Sequence, residues 1–179
     1  MPGEGRHQGE IPSRGMPSQR EIAYHEAGHA VIALGFGESV RRATIKPRAG
    51  SRGQVTLGGR QCGETALYIT LAGPLAQRRF APRSNWLTGD FAIAEKMIFG
   101  KGSSGTAAVK EKYLTAMVAS AEQIVDFFWI DIKVAAKALL KHETLTGDEI
   151  SAAIRAARRK KRRRRGAVFF EPDSSRRRG

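Results

Sequence analysis

A helical pattern begins at Ser18 and continues to about Leu34. Residues at spacings of three and four share one helix face, and four of them do so here: Ile22, His25, His29 and Ile32. Ser18 and Glu21 fit a capping box, in which both side chains bind free amide groups at a helix start. The pattern predicts a helix from Ser18 to about Leu34, which stops at Gly35 or Gly37.

The rest of the chain is predicted to be mostly helical. Two short segments bounded by glycine indicate strands over residues 40–45 and 54–57. Pro74 lies inside the helical pattern that follows and should kink it, while Thr146 and Glu149 fit a second capping box. Further helices are predicted over residues 64–80, 90–99, 106–127, 129–142 and 149–159. The expected fold class is therefore mainly α, with a small β-hairpin or sheet.

Charge is distributed unevenly along the chain. Twelve Lys or Arg against two acids follow from residue 155 onward, which is +10 of the total net charge of +14. We expect a disordered N-terminal arm over residues 1–17, a folded domain over 18–157 and a disordered basic tail over 158–179. No segment resembles a signal peptide or a membrane span, and a lone cysteine, Cys62, fits a reducing compartment. These features predict a cytoplasmic location, at most peripheral to a membrane.

The strongest chemical signal is the run HEAGH at residues 25–29, an HExxH motif on a predicted helix. His25 and His29 are four residues apart, so both imidazoles can reach one zinc ion from the same face. Glu26 is rotated away from that face and is placed to take a proton from zinc-bound water. The alternative is that the motif arose by chance on an ordinary helix.

A catalytic zinc site needs a third protein ligand, which spacing alone does not identify. Glu64 and Glu95 are explained by a helix start and by a solvated helix face. Asp90 is equally explained as a helix N-cap. The downstream acids that remain open at this point are Glu38, Glu64, Asp90 and Glu95.

Five segments together resemble the peptidase domain of the FtsH family of membrane-anchored AAA+ zinc proteases. The likeness covers about residues 18–155 and is most specific in the zinc helix. The matching segments, in chain order, are YHEAGHAV at 24–31, ATIKPR at 43–48, LAGPLA at 71–76, TGD at 88–90, and HETL at 142–145 with DEI at 148–150.

This resemblance implies a helical, zincin-like peptidase domain that binds one Zn²⁺ per chain. It makes Asp90 the third ligand beside His25 and His29, with Glu26 as the catalytic base. The expected activity is metalloendopeptidase hydrolysis of unfolded proteins or peptides. Family members usually carry an acidic residue where Gln77 stands, so support of the metal site by a neighbouring side chain differs here.

The resemblance also raises expectations about partners. Family members carry an ATPase module, whereas this sequence contains no GxxxxGK[ST] motif. A separate ATPase is therefore an expected partner for stable substrates. Family peptidases assemble as hexamers, which makes a homo-oligomer a further expectation.

The predicted second strand is a candidate substrate-binding edge. A peptide can add to an exposed strand and align its scissile carbonyl through main-chain hydrogen bonds. The candidate substrate-binding residues are Gly53, Gln54, Val55 and Thr56. The alternative is a purely structural hairpin.

An uninterrupted basic run precedes the C-terminus. It can bind nucleic-acid phosphates or anionic lipid, or it can be a solvated extension. Its residues are Arg158, Arg159, Lys160, Lys161, Arg162, Arg163, Arg164 and Arg165. This run supports a second hypothesis for the whole chain: a degenerate peptidase fold that serves as a binding module for nucleic acid or an anionic membrane.

Overall fold

The structure is a computed structural model, and it describes residues 17–48, 52–83, 88–100 and 105–168. Most of this part is helical, with one small antiparallel sheet, and this confirms the predicted fold class. The elements are α1 Gln19–Gly35, β1 Val40–Thr44, β2 Gln54–Leu57, α2 Gly63–Phe80, α3 Thr88–Phe99, α4 Ala107–Phe127, α5 Trp129–His142, β3 Thr144–Leu145 and α6 Gly147–Val168.

Helix α1 lies at the centre of the core, where it packs against α2 and α5. Gly28 permits the close approach to α2, because a Cβ there would lie 2.5 Å from the Ala72 carbonyl oxygen and 2.8 Å from the Ala76 Cβ. Ala23 and Ala27 are completely buried on the same helix. These small residues hold the HExxH helix firmly against its neighbours.

The sheet has the strand order β2-β1-β3, with both pairings antiparallel. A bulge between Val40 and Arg42 shifts the register of β1 against β2. Strand β3 was not predicted, since its two residues give no alternating pattern of their own. It forms because Glu143, at φ 59°, turns the chain after α5, and Thr144 then pairs with Thr44. Strand β2 therefore lies at one edge of the sheet.

Both predicted capping boxes are confirmed. The Glu21 amide donates to Ser18 Oγ at 3.2 Å, and the Ser18 amide donates to Glu21 Oε2 at 2.7 Å. At the start of α6, the Glu149 amide likewise donates to Thr146 Oγ1, and the Thr146 amide donates to Glu149 Oε2. Helix α2 continues through the buried Pro74 to Phe80. None of the helices in the described ranges is long and apolar enough to cross a membrane.

The prediction for the C-terminal segment was wrong in one respect. Helix α6 was expected to end near Arg159, but it continues to Val168. The division of the chain into an arm, a domain and a tail stays a prediction. Arg and Lys have high helix propensity, and Arg158 pairs with Asp131 of α5, which fixes the helix to the folded body. Residues 169–179 of the predicted tail, and residues 1–16 of the predicted arm, lie outside the described residues.

Candidate metal centre

His25 and His29 lie one turn apart on α1 and project toward the same point. Their ring centroids are 4.8 Å apart with planes inclined at 75°, and their Nε2 atoms are 3.1 Å apart. Both side chains are largely buried, at 15% and 13% exposure. The helical spacing of the motif thus places two imidazole nitrogens together, as the sequence predicted.

Helix α2 fixes the orientation of both rings. His25 Nδ1 donates to Gln77 Oε1 at 2.9 Å, and His29 Nδ1 donates to the Ile69 carbonyl oxygen at 2.7 Å. A Cβ at Gly73 would overlap the His29 ring, so glycine is needed at that position. Because each Nδ1 donates to an acceptor oxygen on α2, both rings direct their Nε2 atoms toward the same point.

Asp90 completes the group from the first turn of α3. Its Oδ2 lies 2.8 Å from His25 Nε2 and 3.6 Å from His29 Nε2. Burial alone raises the pKa of Asp90, but hydrogen bonds and charge from the two histidines outweigh it and hold that pKa well below its usual range. The Asp90 carboxyl group is therefore ionised beside the two rings.

These three residues fit a tetrahedral metal ion with one open position. Their ligand atoms all lie within 4.8 Å of one another, and the triangle they form has edges of 2.8, 3.1 and 3.6 Å. Ligands held at 2.0–2.1 Å in tetrahedral zinc sites are about 3.3 Å apart. A cation at the centre of this triangle would be attracted both to the Asp90 carboxylate and to the two imidazole nitrogens.

Glu26 lies next to this group but outside it. Its side chain is buried at 6% exposure. Burial raises the pKa of Glu26 to about 7, His25 opposes the rise, and the charge of Asp90 adds to it. Gly53 lies against the carboxylate, since a Cβ there would be 2.5 Å from Glu26 Oε1. A carboxyl group in this environment can accept and return a proton near neutral pH.

An open cleft of about 790 Å³ gives access to these residues. Strand β2 forms one wall, and the segment before it contributes Arg48 and Arg52. The cleft lining includes three of the four candidate substrate-binding residues, Gly53, Gln54 and Val55. The fourth, Thr56, lies in β2 and pairs with Arg42 of β1.

Sequence reasoning missed two supports of the histidines, the Ile69 carbonyl and Gly73. A backbone acceptor leaves no trace in residue type, and Gly73 looked like one small residue among several in LAGPLA. Gln77 was identified through the resemblance alone, and the structure shows its contact with His25.

The basic run lies elsewhere in the fold, on α6. Six of its residues, 158 to 163, are exposed helical positions, and Arg164 and Arg165 continue the same helix. None of residues 158–163, whose side chains the structure describes, lines the cleft at the candidate metal centre. The structure therefore separates these two candidate sites.

No family model matches the chain. A curated relative is the ATP-dependent zinc metalloprotease FTSH 9, chloroplastic/mitochondrial, of Oryza sativa subsp. japonica. The two are 28% identical over an alignment that covers 74% of this chain and 21% of the rice protein. The chain thus spans about a fifth of the length of that relative. The sequence of this chain is thus distantly similar to that of an FtsH metalloprotease.

Proposed function

We propose that this chain is a zinc-dependent metalloendopeptidase domain that hydrolyses peptide bonds of unfolded proteins or peptides. The observation that carries the proposal is the convergence of His25 Nε2, His29 Nε2 and Asp90 Oδ2 beside the buried Glu26. The distant similarity to a zinc metalloprotease adds independent support.

The proposed roles follow from chemistry and position. His25, His29 and Asp90 would hold the metal, and Gln77 and the Ile69 carbonyl would keep the two rings aimed at it. A bound zinc ion supplies Lewis acidity, which polarises a substrate carbonyl and makes a water molecule more acidic. Glu26 takes a proton from the attacking water and passes it to the leaving amine.

The proposed substrate is an extended chain laid along β2. This strand hydrogen-bonds to β1 on one side and lies at the sheet edge, so within the described residues its other side has no strand partner. A peptide added there runs along the wall of the cleft that also contains Glu26. Only an unfolded segment can supply such a strand. The edge residues are Gly53, Gln54, Val55 and Thr56, and alternate ones among them would hydrogen-bond to the peptide through their backbone.

Two partners belong to the same proposal. The rice relative's name describes an ATP-dependent enzyme, and a separate ATPase would deliver stable substrates to this peptidase. Assembly into a homo-oligomer, a hexamer by the resemblance to FtsH, would place several clefts around one entry point.

The decisive experiment compares Glu26→Gln with Glu95→Gln, a control that removes a carboxylate from an exposed position on α3. We expect Glu26→Gln to bind zinc at wild-type stoichiometry but cleave unfolded casein at least about a hundredfold more slowly, as loss of a general base requires. Glu95→Gln should cleave normally. Wild-type cleavage by a folded, zinc-loaded Glu26→Gln variant would overturn the proposal.

A further inference from the structure

The second half of α6 is a strongly cationic helix on the surface of the protein. Residues 158–165 are all Lys or Arg, and they extend for about 12 Å as a helix. The six residues 158–163 make more than one and a half turns, so their positions are distributed around the whole circumference of the helix. Residues 158–163 are all exposed.

The first half of α6 attaches this segment to the domain. Ile150 is completely buried, and Ile154 packs against the core. Arg158 then pairs with Asp131, a carboxylate of α5 that is only 8% exposed, through a hydrogen bond from its Nε to Oδ1 of 3.2 Å. The basic segment beyond Arg158, residues 159–165, therefore extends from a fixed base.

Within the described part of the chain, little negative charge balances this segment. Among the residues that the structure describes, the ion pairs of positions 158–163 are limited to Arg158 with Asp131. Like charges four residues apart repel and destabilise a helix. A polyanion bound along residues 159–165 would remove that repulsion.

The residue pattern distinguishes among three candidate polyanions: a membrane surface, single-stranded nucleic acid and duplex nucleic acid. A helix that inserts into a membrane surface needs an apolar face, and residues 158–165 contain no apolar residue, so only surface charge would hold this segment to lipid. Binding of single strands relies on aromatic side chains that stack on bases, and the segment has none. Duplex nucleic acid requires only closely spaced cations that contact its phosphates.

We propose that residues 159–165 of α6 form a binding site for duplex nucleic acid, which contacts phosphates without sequence preference. Arg158 is mainly the anchor of this site. The proposal goes beyond the peptidase activity and does not depend on it. Its physical signature is a steep dependence of affinity on salt concentration.

The test measures the affinity of the full chain for a labelled mixed-sequence DNA duplex by fluorescence anisotropy across a range of salt concentrations. One variant replaces Arg159, Lys160, Arg162 and Arg163 with Gln. The matched control makes the same four-charge change at exposed positions elsewhere: Arg60, Lys112, Lys137 and Lys141. Both variants are checked by circular dichroism, and both have the same net charge.

We expect the helix variant to bind at least about tenfold more weakly near 0.1 M salt. The slope of log affinity against log salt concentration should become shallower by about 3 to 4 units, because each lost phosphate contact removes about 0.9 from its magnitude. The control should change affinity less than about twofold. Equal effects of the two variants would overturn the proposal, and so would wild-type binding to phosphatidylserine vesicles with no binding to the duplex.

Discussion

Gln77 Oε1 accepts a hydrogen bond of 2.9 Å from His25 Nδ1, and the Gln77 side chain is 1% exposed. A neutral amide thus occupies the position from which a carboxylate often supports a metal-binding histidine. It fixes the ring orientation and the tautomer but adds no negative charge. The metal affinity of the centre should therefore depend on position 77 in a graded way.

Replacing Gln77 tests this dependence directly. Gln77→Leu leaves the His25 Nδ1 proton without its acceptor, so zinc affinity should fall about 10- to 100-fold. Gln77→Glu replaces the amide with a charge-assisted acceptor and should bind zinc at least as tightly as the wild type. Competition with a chromogenic chelator measures both affinities without reference to activity.

A control for these variants is Gln123→Leu, at an exposed position of α4. It should leave zinc affinity unchanged. Wild-type affinity in a folded Gln77→Leu variant would show that this hydrogen bond does not support the centre.

Gly73 offers a second, purely steric test. A methyl group at this position would overlap the His29 ring, whose imidazole must then rotate away from His25 and Asp90. Because alanine favours a helix by about 1 kcal/mol over glycine, this gain should offset part of the cost of the overlap in the metal-free fold. We expect a loss of zinc affinity of more than about tenfold with nearly unchanged unfolding of the metal-free chain.

The matched control for this change is Gly59→Ala, where a Cβ meets no atom within 4 Å. It should leave zinc binding intact. If Gly73→Ala retained full zinc affinity, the orientation of His29 in the structure would be wrong.

Zinc removal should lower the stability of the protein. A metal that binds only the folded chain stabilises it by about 4 kcal/mol when its free concentration is a thousand times its dissociation constant. Chelation should therefore lower the thermal midpoint of the wild type by several degrees. Asp90→Ala, which removes one of the three ligand atoms, should unfold at nearly the same temperature with and without zinc.

Differential scanning calorimetry with and without a chelator makes this comparison. Glu95→Gln is again a suitable control, because it removes an exposed charge from the same helix as Asp90. This control should keep the full zinc-dependent shift. An equally large shift in Asp90→Ala would exclude Asp90 as a ligand.

The features of the site that follow from local sequence were predictable. The capping box at Ser18 and the four-residue spacing of His25 and His29 act within one helix, so the sequence alone predicts the arrangement. The third ligand could not be predicted in this way, because spacing left several acidic residues as candidates. Only the resemblance to the FtsH family favoured Asp90. Its position depends on how α3 packs against α2, which no local pattern encodes.

The features that were missed arise from contacts between elements. Gly28 sets the distance between α1 and α2, and that distance brings the Ile69 carbonyl to His29. Strand β3 exists because β1 offers it a partner. The length of α6 was underestimated because a dense basic run is typical of disorder, whereas the partner of Arg158 lies 27 residues away on α5.

The pair of Arg158 and Asp131 gives the last prediction. The Arg158 side chain is 63% exposed, so water can solvate its guanidinium group. The Asp131 side chain is only 8% exposed, so its carboxylate relies on Arg158 to balance its charge. Arg158→Gln leaves a buried charge without its cation and should lower the free energy of unfolding by about 1–2 kcal/mol. Arg159→Gln removes an equal charge one residue along, and it should change stability by less than about 0.5 kcal/mol. Urea denaturation followed by circular dichroism separates these two values, and equal values would mean that Arg158 does not anchor α6.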